Sequence, residues 1–305
     1  MRKTFIDTLT QLARQDTQIM LLTGDLGFSV FEDFAKEFPG RFINCGVMEQ
    51  SMLSIAAGLA LEGKKPYVYS IIPFATMRPF EQIRNDICYQ NLNVKIVGVG
   101  AGFAYGAFGS THYAIEDISI LRPLPNITVI SPADSIQTRE LTLQSYKKPG
   151  PCYLRLLKPE VVLMPAKVKT ILGKPSVIRN GNDGAIITTG ACLQTGLAVA
   201  DTMKESKKHL TVISLHTLSQ INEPALVKAI KGQKHIFTIE EHRTIGGLGS
   251  LIAEQLLKHR LGGKLTTLGI DDSYQKITGH QQYLAERHGL GKATIYKKIL
   301  KELKK

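Results

Sequence analysis

Short apolar runs and amphipathic stretches take turns along this chain, and that rhythm restricts its fold more than any other feature. Residues 3–15 place Phe5, Leu9 and Leu12 on one helical face, and the run Gln18–Thr23 then stops at Gly24-Asp25, as a buried strand stops at a loop. The pattern continues with helix 30–37, strand 41–45, helix 49–62 closed by Gly63, strand 66–71, helix 78–90 and strand 94–99. Helix 114–121, strand 127–130, a helix opened by Ser131-Pro-Ala-Asp134 and strand 152–155 complete it. Parallel strands need long crossovers, usually helical, so this order predicts an α/β fold with a mainly parallel sheet covered by helices. Ligands on such sheets bind beyond the carboxyl ends of the strands, which singles out the loops after Thr23, Cys45, Ile71 and Val99.

Residues 158–178 lose the rhythm and carry Pro159, Pro165 and Pro175. A second alternating block follows, with strands at 185–189, 210–214 and 235–239 and helices near 192–205, 223–231 and 247–260. The expected organisation is two successive α/β domains, 1–160 and 179–305, joined by a linker at 161–178. A length of 305 residues suits that division, since a domain takes ~150 residues.

Composition narrows the class. With 43% hydrophobic and 21% charged residues the chain has enough apolar surface to fold, and no window approaches the ~20 apolar residues of a membrane span. The first residues, MRKTFIDTLTQLARQDTQ, do not read as a signal peptide, and a cytoplasmic protein is expected. Cys45, Cys88, Cys152 and Cys192 are far apart and form no CxxC pair, so neither a zinc site nor a redox motif is indicated; buried free thiols are expected. The net charge of +12 suits nucleic acid, anionic lipid, phosphorylated small molecules or an acidic partner. Its lysines fall in short pieces such as Lys207-Lys208 and Lys297-Lys298, without interleaved aromatics, which argues against a nucleic-acid groove and for solvated helix faces.

Three constellations lie at the singled-out loops. In Asn44-Cys-Gly-Val-Met-Glu-Gln50 the carboxylate of Glu49 falls in the first turn of a helix, where it either serves chemistry or merely complements the helix dipole. In the segment 72–84 either Phe74 or Phe80 offers a ring to a flat ligand, or both face the core. Gly98-Val-Gly-Ala-Gly102 is not a GxGxxG fingerprint, but it leads through Gly109-Ser-Thr-His112 and so permits close approach to a ligand beside His112.

Taken together these segments resemble the transketolase family. FINCGVMEQSMLSIAAGLALEGKKPYVYSI, MRPFEQIRNDICYQNLNVKIVGVGAG and GSTHYAIEDISILRPLPNITVISPAD look like its pyrimidine-binding domain, and GAIITTGACLQTGLAVAD with IEEHRTIGGLGS looks like its C-terminal domain. The resemblance covers essentially the whole chain. It implies thiamine diphosphate as cofactor, with Glu49 as the carboxyl that drives the aminopyrimidine to its imino form, Phe74 stacking on the pyrimidine, and Asp25 also at the cofactor. It further implies His112 as a contact to substrate oxygens, and Arg155, Ser29 and Arg2 as contacts to substrate phosphate.

The family's GDG motif, which with a later Asn ligates Mg²⁺ and holds the diphosphate, does not occur; Gly181-Asn-Asp-Gly184 reads as a turn before a strand. The chain thus looks like the C-terminal half of a split transketolase, with a partner subunit supplying the diphosphate and Mg²⁺ site in an α2β2 assembly. It departs from many full-length members at Phe108, where they carry an acidic residue, and at Gly100, where they carry a second His. Two other readings stay open: the β subunit of a thiamine-dependent 2-oxo acid dehydrogenase, and a non-catalytic assembly subunit.

Overall fold

A computed structural model describes residues 1–271, 273–274 and 276–304. The chain begins α1 (Arg2–Gln15), β1 (Ile19–Thr23), α2 (Glu32–Glu37), β2 (Phe42–Asn44), α3 (Glu49–Leu61), β3 (Lys65–Ile71), α4 (Ile72–Thr76) and α5 (Phe80–Gln82). It continues β4 (Lys95–Val99), α6 (Asp117–Leu121), β5 (Thr128–Ile130), α7 (Ser135–Lys147) and β6 (Cys152–Leu156). Strands β1 to β6 form one sheet in the order β2-β1-β3-β4-β6-β5, every pair parallel. The central strands are buried along their whole length, which is why they read as continuous apolar runs instead of alternating ones.

The second half runs β7 (Ser176–Arg179), β8 (Gly184–Thr188), α8 (Cys192–Glu205), β9 (Leu210–Ser214), α9 (Glu223–Ile230), β10 (His235–Arg243), α10 (Leu248–Lys258), β11 (Lys264–Ile270), α11 (Gln281–Arg287) and α12 (Lys292–Leu303). Its sheet has the order β11-β10-β8-β9-β7, parallel except for the antiparallel β7–β9 pair. The α/β architecture with two mainly parallel sheets is therefore present. Among the described residues no helix is long and apolar enough to cross a membrane. The four cysteines are free; Cys88, Cys152 and Cys192 are buried and Cys45 half-buried.

Local signals explain the boundaries that were legible. Gly63 ends α3 with φ +78°, the left-handed conformation a helix stop favours. Asp134 caps α7 by accepting from Gln137 N–H at 2.8 Å, and its other oxygen accepts from the backbone of Leu163 and Met164, both at 2.8 Å. One side chain thus starts a helix and pins the proline-rich segment that follows the first sheet.

Two expectations need correction. The helix foreseen at 78–90 is broken: α4 and α5 are separated by a turn at 77–79, and a π-helical turn spans Ile83–Cys88. Pro79 lacks the amide a continuous helix would use and clashes with the preceding turn. The linker foreseen at 161–178 also runs into β7, a short strand whose alternation its prolines hide.

The two sheets are sewn together along β5. Ser131 N–H donates to the His216 carbonyl at 2.7 Å, Leu218 N–H to that of Val129 at 2.8 Å, and Ile130 bridges Thr217. His216 and His242 are buried at this junction, and burial pushes both imidazoles down to about 4. An unfolded histidine titrates near 6.5, so between about 6.5 and 4 the unfolded chain binds the extra protons and stability falls as pH falls. Buried Glu240 acts oppositely: raised to about 7 from 4.5, it favours the folded state while protonated and withdraws that contribution as pH rises between those values. Two histidines oppose one carboxyl, so from these groups a net loss of up to ~1.4 kcal/mol per pH unit is expected below pH 6.5. Urea midpoints at pH 7 and pH 5 measure it, and His216→Gln should flatten the dependence.

Candidate active site

The all-parallel first sheet delivers the loops after β1, β2, β3 and β4 to one edge. Asn44 ties the first two: its side-chain amide donates to Asp25 Oδ1 at 3.0 Å, while its Oδ1 accepts from Asp25 N–H and Gly46 N–H, both at 3.0 Å. Asp25 at φ +55° and Ser29 at φ +60° hold left-handed backbone, uncommon for residues other than glycine. Ser29 is exposed, and its N–H donates to Glu32 Oε1 at 2.6 Å.

Glu49 opens α3 from the loop after β2 and is only 3% exposed. Its Oε1 accepts from Ser70 Oγ at 3.3 Å, at the end of β3, and its Oε2 from Arg78 Nη1 at 3.0 Å. The Arg78 guanidinium also lies over the Phe74 ring, 4.0 Å from its centroid. Phe74 in turn meets the His112 ring edge-on at 5.0 Å. Glu49, Arg78, Phe74 and His112 therefore form one contiguous cluster drawn from three loops. Of the two candidate aromatics, Phe74 belongs to it, whereas Phe80 packs against the core.

His112 sits among aromatic rings, with Phe108 at 5.2 Å and Tyr105 at 6.5 Å besides Phe74. Partial burial, followed by the nearby Arg78 charge, holds its imidazole below the usual histidine range. A ring kept neutral in this way can both give and accept a hydrogen bond, as contacts to hydroxyl oxygens require. Its Nδ1 lies 3.0 Å from Thr111 Oγ1.

The glycine run serves packing. Gly100 has φ +93°, and a Cβ there would lie 2.2 Å from the Tyr105 ring. The close approach anticipated for a ligand is thus taken by Tyr105, whose ring forms one wall beside His112.

Arg155 is where the sequence reading and the structure part. It lies on β6, 3% exposed, with Nε donating to Asp117 Oδ2 at 2.8 Å and Nη2 to the carbonyls of Ala114 at 2.7 Å and Glu241 at 3.3 Å. Its fork is filled by protein and is not offered to a ligand. Lys158, three residues on and past the carboxyl end of β6, is exposed with Nζ 5.2 Å from the Tyr105 ring centroid. Arg2, at the start of α1, lies close enough for its charge to favour ionised Tyr69 and Tyr105. Lys158 and Arg2 therefore approach Tyr105, the wall beside His112. Lys158, Arg78 and Ser70 were not singled out by the sequence. The strand-end rule could have found Lys158, since β6 is buried throughout and stops at Leu156.

Residues 1–162 match the family model for the transketolase pyrimidine binding domain, and residues 173–295 match that for the transketolase C-terminal domain. One of the two subunits of an apulose-4-phosphate transketolase from Phocaeicola vulgatus is 36% identical, covering 100% of this chain and 97% of its own. A 6-deoxy-6-sulfo-D-fructose transketolase subunit from Clostridium sp. is 35% identical over 95% of this chain and 90% of its own. A solved split gene transketolase, an inactive beta4 tetramer, superposes with a TM-score of 0.90 at 34% identity, covering 99% of this chain and 98% of that one.

Proposed function

The chain belongs to the transketolase family, and from that premise we propose that it is the C-terminal subunit of a split transketolase, moving a two-carbon ketol unit from a ketose donor to an aldose acceptor. The observation that carries the reading is the cluster of a buried carboxyl, Glu49, with Phe74 and His112 at the ligand edge of a parallel sheet.

That cluster fits thiamine diphosphate. Glu49 provides a carboxyl for a ring nitrogen, and Phe74 an aromatic surface for a flat ring. When bound, the cofactor supplies the thiazolium carbon that carries the two-carbon unit. Glu49 holds and moves the proton at the pyrimidine nitrogen, and Asp25 steadies the adjoining loop through Asn44. His112 orients the sugar oxygens in its aromatic enclosure.

No GDG triplet occurs in the sequence, so the diphosphate and Mg²⁺ are assigned to a partner subunit in an α2β2 enzyme. Phe28, Val47, Met48 and Phe108 are exposed apolar residues of the loops at this edge, as a surface awaiting a partner would present. For the substrate's terminal anion, Ser29, Arg2 and Lys158 fit better than Arg155. Phosphate and sulfonate both suit such a site, matching the substrates named for the relatives. Phe108 favours a donor with no polar group to be read at that position.

Assaying the chain with its partner against sugar and lipoyl acceptors tests the proposal: turnover with a lipoyl acceptor alone would replace it with the 2-oxo acid dehydrogenase reading. His112→Ala tests the division of roles. Sugar turnover is expected to fall about 10²-fold, as loss of a hydrogen-bonding group at a reacting centre does, while exchange of the thiazolium C2 proton continues. Loss of that exchange would assign His112 to cofactor activation instead.

A further inference from the structure

The side chain of Arg78 reaches both groups that the proposed function reserves for the cofactor ring. Its guanidinium donates to Glu49 Oε2 at 3.0 Å and lies 4.0 Å over Phe74. A flat cationic plane of hydrogen-bond donors thus makes the same two contacts, one to the carboxylate and one to the aromatic face, that an aminopyrimidine would need. We propose that Arg78 is a placeholder: without cofactor its guanidinium occupies the ring position on Glu49 and Phe74, and it turns out when the ring enters.

The surroundings favour movement of this side chain over a fixed structural role. Glu49 is buried, so its carboxylate needs a charged partner whenever the ring is absent; an unpaired buried charge is strongly unfavourable. Arg78 by contrast is 48% exposed and sits in the turn between α4 and α5, where rotation about its own side-chain bonds carries the head group into solvent. Ser70 stays on the other oxygen of Glu49 throughout, at 3.3 Å, and keeps the carboxylate aimed. Arg78 is then a positioning residue. It keeps the site formed and paired, and it lowers the apparent affinity for cofactor by the fraction of molecules in which the position is open.

The inference rests on Glu49 and Phe74 receiving the ring, and the test separates the two. Thiamine diphosphate with Mg²⁺ is titrated calorimetrically into the cofactor-free complex of this chain with its partner. With a position closed in ~90% of molecules, Arg78→Ala should tighten the apparent Kd about tenfold. Arg78→Gln, which keeps a donor for Glu49 and guards against loss of folding, should tighten it less. Millimolar methylguanidinium should return the Kd of Arg78→Ala toward that of the unmodified complex and leave the latter unchanged, a response a merely structural arginine would not give. An unchanged or weakened Kd in both variants, or no response to methylguanidinium, overturns the placeholder. Glu49→Gln reports on the underlying reading. If it leaves both Kd and turnover untouched, the site itself is wrong; if it abolishes turnover while the Arg78 variants fail to tighten, only the placeholder is wrong.

Discussion

Replacing Glu49 with Gln is expected to lower ketol transfer by ~10²–10⁴-fold with every donor, the range of a lost general acid–base group. The amide has the size of the carboxyl, so the buried position should accept it, and its oxygen can still accept from Ser70. What it cannot do is give up and regain a proton at a ring nitrogen. Exchange of the thiazolium C2 proton should therefore slow in parallel with turnover, in contrast to His112→Ala. The confounding effect is the Arg78 ion pair, which Gln weakens. Arg78 is about half exposed, so that loss is worth ~1 kcal/mol or less in stability, and the melting temperature should move by only a few degrees. A Glu49→Gln complex that melts normally and turns over at the unmodified rate would end the active-site reading of this edge.

The sequence exposed this edge because two signals agreed there. Buried parallel strands read as apolar runs, and each run ended at a residue type suited to a loop or cap: Gly24-Asp25 after β1, Asn44 after β2, the glycines after β4. Arg78 was not legible because its partner is 29 residues away and the intervening chain is broken at Pro79, so helical spacing gave no face to place it on. Strand β11 and helices α11 and α12 escaped for a different reason. β11 is an edge strand, partly exposed and rich in Thr and Lys, and the lysines of α12 mask the short apolar stripe of Ile295 and Ile299. Gly100 looked like room for a ligand because a sequence cannot show that Tyr105, five residues later, folds back onto it. The identity of the phosphate-reading cation turned on burial alone: Arg155 and Lys158 are both basic and three residues apart, but one lies inside the sheet and the other beyond its end.

That last distinction leads to the second large effect. Asp117→Ala should destabilise the protein by ~3–5 kcal/mol, because it leaves the buried Arg155 guanidinium without its counter-charge. Asp117 is itself fully buried, and its Oδ2 accepts from both Arg155 Nε at 2.8 Å and the Tyr153 hydroxyl at 2.7 Å, so two donors lose their acceptor at once. For a chain of this size a drop of roughly 6–15 °C in the first thermal transition corresponds to that loss. The double variant Asp117→Ala with Arg155→Met should recover much of it, since removing both members of a buried pair costs far less than orphaning one. The fork of Arg155 also holds the Ala114 and Glu241 carbonyls, one from each half of the chain, so the single variant should loosen the seam between the sheets. Donor kinetics then separate structure from recognition. If Arg155 acts only through packing, Arg155→Met in the complex should change the melting temperature and leave the KM ratio between phosphorylated and unphosphorylated donors as it was, whereas Lys158→Ala should collapse that ratio without changing the melt. The reverse pattern would mean that Arg155 turns outward in the assembled enzyme and reads the phosphate after all.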